Sequence, residues 1–578
     1  MKLVLRDYIS SMKERDELDV LIQNLLSKMG LNIVLIPRKG VKEHGVDIEA
    51  VGCWPEETEE KLFLFAIKSG NITRSNWSGN SQTLKESIEE IIYSFIPSHI
   101  LPEHKNKKIV VCPCFGGYVD KSVAVYYKGF FETLEDRNPN IEFKTIDLDV
   151  LSELILGYLF NEKLLPKRAQ KEFLKSLSYV SDADITYKHF CSLLRITFQI
   201  DPPNNHKDAL DKARMLYISL AILFSNAKDE GYLLGVVKCS ELAILVIWEN
   251  IKKYIESDKN LIEIYTQLCM LHVSILKYLY VQLFPYSRHF LALSHSVTND
   301  NGFLNYGCIS LRLTEILGLV SSLGIWLLWI KEQLIHNVVN QGTVEKFNTE
   351  ISNLNCFTKE VIKNNPICFT PIQDEQCSDL LVLFDFWIQI GETAFLSYFL
   401  SRWCDLTFFT LMRRNYYTSN TRGLKEFIKL EYKRNKGITD EDFEKSTNSL
   451  ATVAYISLLG KILGFLEVSL KVDEITTKLL RHTDFQIYMF DDSTEDNLYL
   501  DKKPHGLVLT GVSISSTKKE LEEAIWGSFD DQCKILSSLS CVRHGFTPIV
   551  YVACRHYKLP LPYAFLLQHK QMLSTEKV

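Results

Sequence analysis

What the sequence lacks sets its broad class. The 14 cysteines follow no short repeating framework, and no N-terminal stretch has the pattern of a signal peptide. Cysteines used in this way are typical of buried or free thiols in a reducing compartment. We therefore expect a cytoplasmic protein.

The sequence also lacks a hydrophobic run long enough to cross a membrane. The longest candidate, Ile316 to Ile330, is uncharged but has only 15 residues, with Glu315 and Lys331 at its edges. A bilayer requires about 20 apolar residues. This stretch therefore predicts a buried helix, and we expect no membrane contact.

An excess of positive charge is missing as well, since the net charge is −6. The chain is therefore not a polycation that would coat nucleic acid by bulk attraction. One segment, 413–436, has a local net charge of +6 with three tyrosines among its basic residues. This mixture suits phosphate contact and base stacking, although an ordinary solvated helix edge is the alternative. The candidate contacts are Arg413, Arg414, Lys425, Lys429 and Lys433.

What is present is enough apolar material for large cores. Hydrophobic residues make up 46% of the 578 positions, which predicts a globular chain of about three or four domains. From 187 to 480, long apolar stretches recur with helical spacing, so we expect a large all-α region. Residues 481–578 contain strand-like runs and predict a small mixed segment. Four residues within it are a weak candidate for a zinc site: Cys541, His544, Cys554 and His556.

Two short β-type runs between Gly45 and Gly70 carry the most informative chemistry. Asp47 lies on the first run and Lys68 on the second. Because side chains alternate between the two faces of a strand, Asp47, Glu49 and Lys68 would converge if the runs pair as a hairpin. The second run is nearly all apolar, which predicts a strand buried on both faces and a rigid site.

A carboxylate and an ammonium group on paired strands predict a metal-dependent phosphodiesterase. An ion of the Mg²⁺ type requires hard oxygen ligands, which Asp47 and a strand carbonyl near Ile67 would supply. The ion would polarise a phosphate and lower the pKa of a bound water. Lys68 would orient that water or offset charge on the phosphorus oxygens. A purely structural ion pair is the alternative.

These residues and the segments around them resemble the PD-(D/E)xK nuclease superfamily and, within it, the branch of Mrr-type restriction endonucleases. That branch opens with a helix that carries an acidic residue before an apolar pair and a closing glycine. Asp19, Leu25-Leu26 and Gly30 fit this spacing, which makes Asp19 a third candidate catalytic residue. The resemblance implies the order α-β-β-β-α-β-α-β-α over about the first 160 residues. The downstream elements are expected as a strand at Lys108 to Cys112, a helix at about Asp120 to Arg137, a strand at Ile141 to Ile146 and a helix at Asp147 to Leu159.

One position departs from the family pattern. The family has Glu, Asp or Gln two residues before the lysine, whereas this chain has Ala66, which cannot bind a metal. Either the site is inactive or another carboxylate is the ligand, and Glu49 is the candidate because it shares a strand face with Asp47. An ion pair is the ordinary alternative for Glu49, as a solvated helix face is for Asp19.

The polar stretch after Lys68 is a second candidate contact surface for nucleic acid. Arg74, Asn76 and Trp77 lie in it, at the mouth of the expected site. Polar amides, an arginine and an exposed tryptophan would position a strand of DNA or RNA. The alternative is an ordinary connector in which Trp77 packs back onto the core.

These inferences divide the chain into four parts. They are an α/β restriction-endonuclease-like domain over 1–162, a linker over 163–186, an α-helical domain over 187–480 and a mixed α/β C-terminal segment over 481–578. The implied function is that of a Mg²⁺- or Mn²⁺-dependent endonuclease that cuts DNA, with RNA as the other substrate left open. The layout resembles bacterial restriction and anti-phage defence effectors, in which a helical sensor or partner region restrains a cutting domain.

Two further expectations follow from this layout. A homo-oligomer through the helical region would supply two sites for the two strands of a duplex. The alternative function is that of an interaction protein, in which a nuclease fold without its chemistry binds nucleic acid or protein.

Overall fold

The computed structural model describes residues 2–35, 44–55, 57–79, 83–160, 165–256, 258–297, 304–336, 341–500, 506–509 and 530–566. The chain divides into two compact units. Unit 1 comprises Met1–Cys239 with Lys253–Leu268, and unit 2 comprises Ser240–Lys252 with Cys269–Val578. The four-part division of the sequence remains a prediction.

A mixed sheet of five strands forms the centre of unit 1 in the described part of the chain. The strands are β1 (Asn32–Leu35), β2 (Ile48–Gly52), β3 (Lys61–Lys68), β4 (Lys108–Phe115) and β5 (Ile141–Phe143). They lie side by side in chain order. β2 is antiparallel to β1 and β3, whereas β3, β4 and β5 are parallel to one another.

The sequence of β3 explains its central position. Leu62 to Ile67 is an uninterrupted apolar run, and every residue of the strand is buried. A strand covered on both faces has this composition. In the parallel register with β4, Lys68 pairs with Phe115, so the lysine lies where two neighbouring strands both end.

Helices surround the sheet of unit 1. They are α1 (Lys2–Ser11), α2 (Asp19–Met29), α3 (Arg74–Trp77), α4 (Leu84–Glu90), α5 (Ile96–Ser98), α6 (Lys121–Arg137), α7 (Leu148–Tyr158), α8 (Lys167–Ser178), α9 (Ala183–Leu194) and α10 (His206–Glu230). A π-helical turn, Glu14–Leu18, joins α1 to α2. Gly30 ends α2 with a φ of 91°, a left-handed conformation that glycine adopts at little cost.

Unit 2 consists mainly of helices. The chain passes between the units within α11 (Leu234–Ile251), just after that helix, and within α12 (Lys259–Ser287). The other helices of unit 2 are α13 (Ala292–Val297), α14 (Leu304–His336), α15 (Gln341–Asn364), α16 (Cys377–Gln389), α17 (Thr393–Arg413), α18 (Gly423–Lys436), α19 (Asp440–Thr447), α20 (Thr452–Ile462), α21 (Leu466–Lys478), α22 (Thr494–Asn497), α23 (Ser540–Arg543) and α24 (Pro548–His556). Short strands pair within it: β6 (Ser449–Leu450) with β7 (Asp484–Phe485), and β8 (Ile487–Met489) with β9 (Leu507–Leu509).

The expected fold class is confirmed at the coarse level, as an N-terminal α/β region followed by a large helical region. The strand expected at Ile141 to Ile146 is shorter and ends at Phe143. One of the strand-like runs predicted within 481–578 spans Gly506 to Val512, and its residues after Leu509 lie outside the described residues.

Two helices, α12 and α14, are long and apolar enough to cross a membrane by length and composition alone. The helix α14 extends well beyond the run Ile316 to Ile330 on both sides, so the argument from length alone does not hold for the whole helix. Its most apolar window is nevertheless 78% buried, against 39% for that of α12. The prediction of a buried helix at Ile316 to Ile330 is therefore confirmed.

Candidate active site

Lys68, the last residue of β3, is 9% exposed. Its Nζ lies 3.1 Å from Oε1 of Glu14, the first residue of the π-helical turn. A buried charge is costly unless it is paired, so this carboxylate stabilises the ammonium group at the end of the strand. Sequence reasoning missed Glu14, because it stands in the charged run from Lys13 to Glu17, where a solvated face is the default.

Asp47 lies at the bend that leads into β2. Its backbone N–H donates to the carbonyl of Phe65 at 2.8 Å and extends the ladder between the two strands. Its Oδ2 accepts a hydrogen bond from the N–H of Ile67 at 2.6 Å. This hydrogen bond fixes the Asp47 carboxylate against the end of β3, at the residue directly before Lys68. The amide of Ile67 is thus bound to Asp47, and the carbonyl of Ile67 as a ligand of an ion remains a prediction.

The charge of Asp47 also acts on β4. Cys114 pairs in register with Ile67. Burial, and then the charges of Asp47 and Asp147, raise the pKa of the Cys114 thiol. The negative charge of Asp47 and the positive charge of Lys68 therefore both lie at the carboxyl ends of the parallel strands.

Asp19 begins α2 and is 9% exposed. Its Oδ1 accepts a hydrogen bond from the N–H of Val20 at 2.7 Å. Burial, with the charges of Glu17 and Asp19, raises the pKa of Tyr217 to about 12. The structure thus brings Asp19 near the half-buried Tyr217 of α10, a neighbour that sequence spacing gives no means to foresee.

Glu49 lies in the middle of β2, is 3% exposed, and its Oε1 has no hydrogen-bond partner. Burial raises the pKa of this carboxyl, while the charge of His104 lowers it in part. The register pairs Glu49 with Leu64.

The strand end at Lys68 has carboxylate groups suited to a divalent ion, but only a small number of them. Among the described residues, no group of three or more His, Cys, Asp or Glu side chains is arranged to hold a metal ion. Mg²⁺ usually keeps several waters and binds through one or two carboxylates together with the phosphates of a substrate. Asp47 and Glu14 provide carboxylate oxygens, which are the type of ligand that Mg²⁺ binds.

Two residues of the polar stretch after Lys68 have structural roles. Asn76 Oδ1 accepts a hydrogen bond from the N–H of Thr73 at 3.0 Å, which caps α3. Trp77 is 6% exposed, and its ring centroid lies 5.2 Å from that of Tyr127 and 5.4 Å from that of Phe130. The expectation that Trp77 is exposed is therefore wrong, since the ring packs onto α6 as in the alternative.

Arg74 remains available to a ligand from the same stretch. It is exposed and lines a groove of about 700 Å³ together with Lys85 and Tyr126. Lys85 lies over the ring of Phe130, with Nζ 5.5 Å from the centroid. The groove combines two cations with an exposed aromatic ring, which suits contact with a phosphate backbone and a base.

The basic segment of unit 2 is only partly available for binding. Lys425 and Lys429 are exposed on α18, and Arg413 is exposed with its guanidinium carbon 4.6 Å from the ring centroid of Phe409. The other two predicted contacts form ion pairs with the first turn of α19. These pairs are Arg414 with Asp440 and Lys433 with Asp442.

Arg434, in the same segment, is part of the interior. Its side chain is 2% exposed, pairs with Glu431, and donates to the carbonyl of Tyr417 at 2.7 Å. Tyr417 is fully buried, so it is unavailable for the base stacking that the sequence suggested. The local charge of +6 is therefore an overestimate of what a nucleic acid would meet.

The weaker zinc candidate is occupied by other interactions. Burial raises the pKa of the Cys541 thiol to about 12, and His556 Nδ1 lies 3.1 Å from Oε2 of Glu241.

Comparison with protein-family models, with curated proteins and with solved structures finds no match for the chain. The case for a function therefore depends on the geometry described above.

Proposed function

We propose that unit 1 is a metal-dependent nuclease that hydrolyses phosphodiester bonds of DNA, with RNA as the other candidate substrate. The observation that carries the proposal is the 2.6 Å hydrogen bond from the Ile67 amide to Asp47 Oδ2. It holds a carboxylate against the strand end where Lys68 is buried and paired. An acidic and a basic side chain held at the same strand end are a candidate catalytic pair.

The order of elements supports this proposal. From α2 to α7, with the short helices between β3 and β4 taken as one helical layer, the chain runs helix, three strands, helix, strand, helix, strand, helix. That order is the one that the resemblance to PD-(D/E)xK nucleases implies. The buried sheet would hold the site rigid, as catalysis by pre-organised charges requires.

Asp47 and Glu14 are the residues that would hold a Mg²⁺ or Mn²⁺ ion together with a phosphate oxygen. When bound, such an ion polarises the phosphate and lowers the pKa of a water ligand. The Ile67 amide keeps the Asp47 carboxylate in one orientation. Lys68 would interact less with Glu14 and would stabilise the negative charge that develops on the phosphorus oxygens.

Ala66 supports a second candidate function. It is fully buried in β3 and offers no ligand where the family has an acid or an amide. Under this alternative the domain is catalytically impaired, and the exposed cations of the groove at Arg74 and of α18 bind nucleic acid or protein without cutting it.

The proposal predicts that two conservative substitutions abolish cleavage. Asp47→Asn keeps an oxygen that accepts the Ile67 N–H but loses the charge, and Lys68→Gln removes the cation. We expect each to lower the cleavage rate by about 100-fold or more. The measurement is cleavage of supercoiled plasmid and of single-stranded DNA and RNA by the full chain, with Mg²⁺ or Mn²⁺.

Lys128→Gln is the matched control, because Lys128 lies on α6 with a side chain that is 79% exposed. It should cut at the wild-type rate. Equal activity of Asp47→Asn and wild type would refute the assignment of the site. A wild-type protein that binds DNA but cuts none of these substrates with either metal would favour the impaired module.

The wider role is proposed on the resemblance alone. A cytoplasmic anti-phage defence effector would use unit 2 as a sensor, a partner-binding region or a surface for homo-oligomerisation. A trigger bound by that unit would then release the cutting activity of unit 1.

A further inference from the structure

A polar pocket of about 350 Å³ lies within unit 1, away from the strand end that carries Lys68. It is bounded by α2, β1, α10 and the first part of α12. Its volume lies at the lower end of the range for small-molecule sites.

The cation of this pocket is Arg214 of α10. The residue is only 8% exposed, and its Nε has no hydrogen-bond partner. Burial lowers the pKa of the guanidinium, while the charges of Asp211, Glu263 and Asp258 raise it. The closest of these in sequence, Asp211, is already paired with Lys28. A buried guanidinium with an unsatisfied N–H is a costly arrangement, which an anionic ligand would relieve.

Amide side chains make up most of the remaining polar wall. They are Gln23, Asn24, Asn32, Asn260 and Gln267. Asn24 Nδ2 donates to the carbonyl of Val20 at 3.0 Å, and its contact with Gln267 Oε1 is long, at 3.4 Å. Each amide offers both a donor and an acceptor, and this is the pattern that pairs with the edge of a nucleobase.

Aliphatic side chains complete the lining. Leu31 directly precedes β1 and Ile33 belongs to it, while Leu210 belongs to α10 and Ile264 to α12. Apolar groups around a few directed polar groups are the usual composition of a small-molecule site. Such groups would cover the faces of a flat ring while the amides bind its edge.

We propose that this pocket binds a nucleoside monophosphate, with the phosphate on Arg214, the base edge on the amides of Asn24 and Gln267, and a ribose hydroxyl donating to Glu263. Arginine matches phosphate because its planar fork donates two parallel hydrogen bonds. This site is separate from the nuclease proposal and does not require it.

The test is isothermal titration of the full chain with AMP, GMP, CMP and UMP in turn. We expect at least one of them to bind with a Kd below about 100 μM. Arg214→Gln should weaken that binding by about tenfold or more, because it removes the charge-assisted pair. Arg195→Gln is the matched control, since Arg195 is an exposed arginine outside the pocket, and it should bind as the wild type does.

A second variant guards against misfolding of the first. Gln267 lines the pocket and is half-buried. The variant Gln267→Ala should reduce affinity for the same nucleotide by about tenfold, with an unchanged circular dichroism spectrum. Asp47→Asn should bind the nucleotide normally, which distinguishes this pocket from product binding at the candidate active site. The proposal is overturned if none of the four nucleotides binds, if Arg214→Gln and Gln267→Ala both bind normally, or if inorganic phosphate binds as tightly as the nucleotide.

Discussion

The two residues at the centre of the candidate site were predictable because strand chemistry is local. Asp47 precedes β2 and Lys68 ends β3, and pairing of the two strands places Asp47 Oδ2 against the N–H of Ile67, the residue before Lys68. Glu14 was not predictable, because its contact with Lys68 depends on how the N-terminal segment folds over the sheet. A charged residue in a charged run has no sequence feature that distinguishes a pair from a solvated group.

At the same scale, Glu49 offers a direct test of buried charge. Burial raises its pKa above the ordinary 4.5, so the folded state binds the proton more tightly than the unfolded state. Its contribution to stability therefore falls as the pH rises from 4.5 through the raised value. Glu49→Gln cannot ionise, and we expect it to raise the free energy of unfolding at pH 7.5 by about 1 kcal/mol, with little change at pH 4.

Urea unfolding at the two pH values measures this difference, with Glu132→Gln on the exposed face of α6 as the control. A loss of stability in Glu49→Gln at pH 7.5 would mean that a partner holds the charged form. In the cleavage assay, unchanged activity of Glu49→Gln would remove this residue from the mechanism.

At the scale of elements, helix starts were easier to foresee than side-chain burial. Asp120 and Asp147 precede α6 and α7, and both accept N–H groups of the first turn, as a capping aspartate does. Trp77 was assigned to the surface because its sequence neighbours are polar. Its burial depends on Tyr127 and Phe130 of α6, about fifty residues later in the chain, and no local pattern reports such a contact.

We expect α18 to contribute measurably to nucleic-acid binding. Lys425 and Lys429 are exposed one turn apart and would each neutralise one phosphate. We expect the double substitution Lys425→Glu with Lys429→Glu to weaken binding to an oligonucleotide. The slope of log K against log salt should fall in magnitude by about 2, or somewhat less for a single strand.

Fluorescence anisotropy between 50 and 200 mM salt measures this slope, a range wide enough to resolve it. Lys445→Glu is the control, because Lys445 is exposed on α19 and already pairs with Glu441. An unchanged slope in the double variant would leave α18 as an ordinary solvated helix.

At the scale of the whole molecule, unit 2 contains a buried group of charges that no sequence pattern marked. Arg555 of α24 is fully enclosed between Glu241 of α11 and Asp379 of α16. Lys558 lies 2.7 Å from the other oxygen of Asp379, and burial raises the pKa of that carboxyl to about 6. These residues are far apart in sequence, and only the packed helices bring them together.

Removing Arg555 should therefore strongly destabilise the protein. Arg555→Met removes the guanidinium between two buried carboxylates and leaves only Lys558 beside Asp379 and His556 beside Glu241, so we expect it to lower the free energy of unfolding by about 3 kcal/mol. The urea midpoint followed by circular dichroism measures the loss, with Arg543→Met as an exposed control from α23. A change below about 1 kcal/mol would show that the charges are solvated rather than enclosed.

One helix of unit 1 connects the polar pocket to the turn that carries Glu14. α2 starts at Asp19, directly after the turn whose first residue is bound to Lys68, and its later residues Asn24 and Ser27 line the polar pocket. With 11 residues it is about 16 Å long and too short to bend appreciably. A nucleotide that shifted one end of this rod by a fraction of an ångström would move the other end too. Cellular nucleotide levels would then set how readily Glu14 releases the lysine.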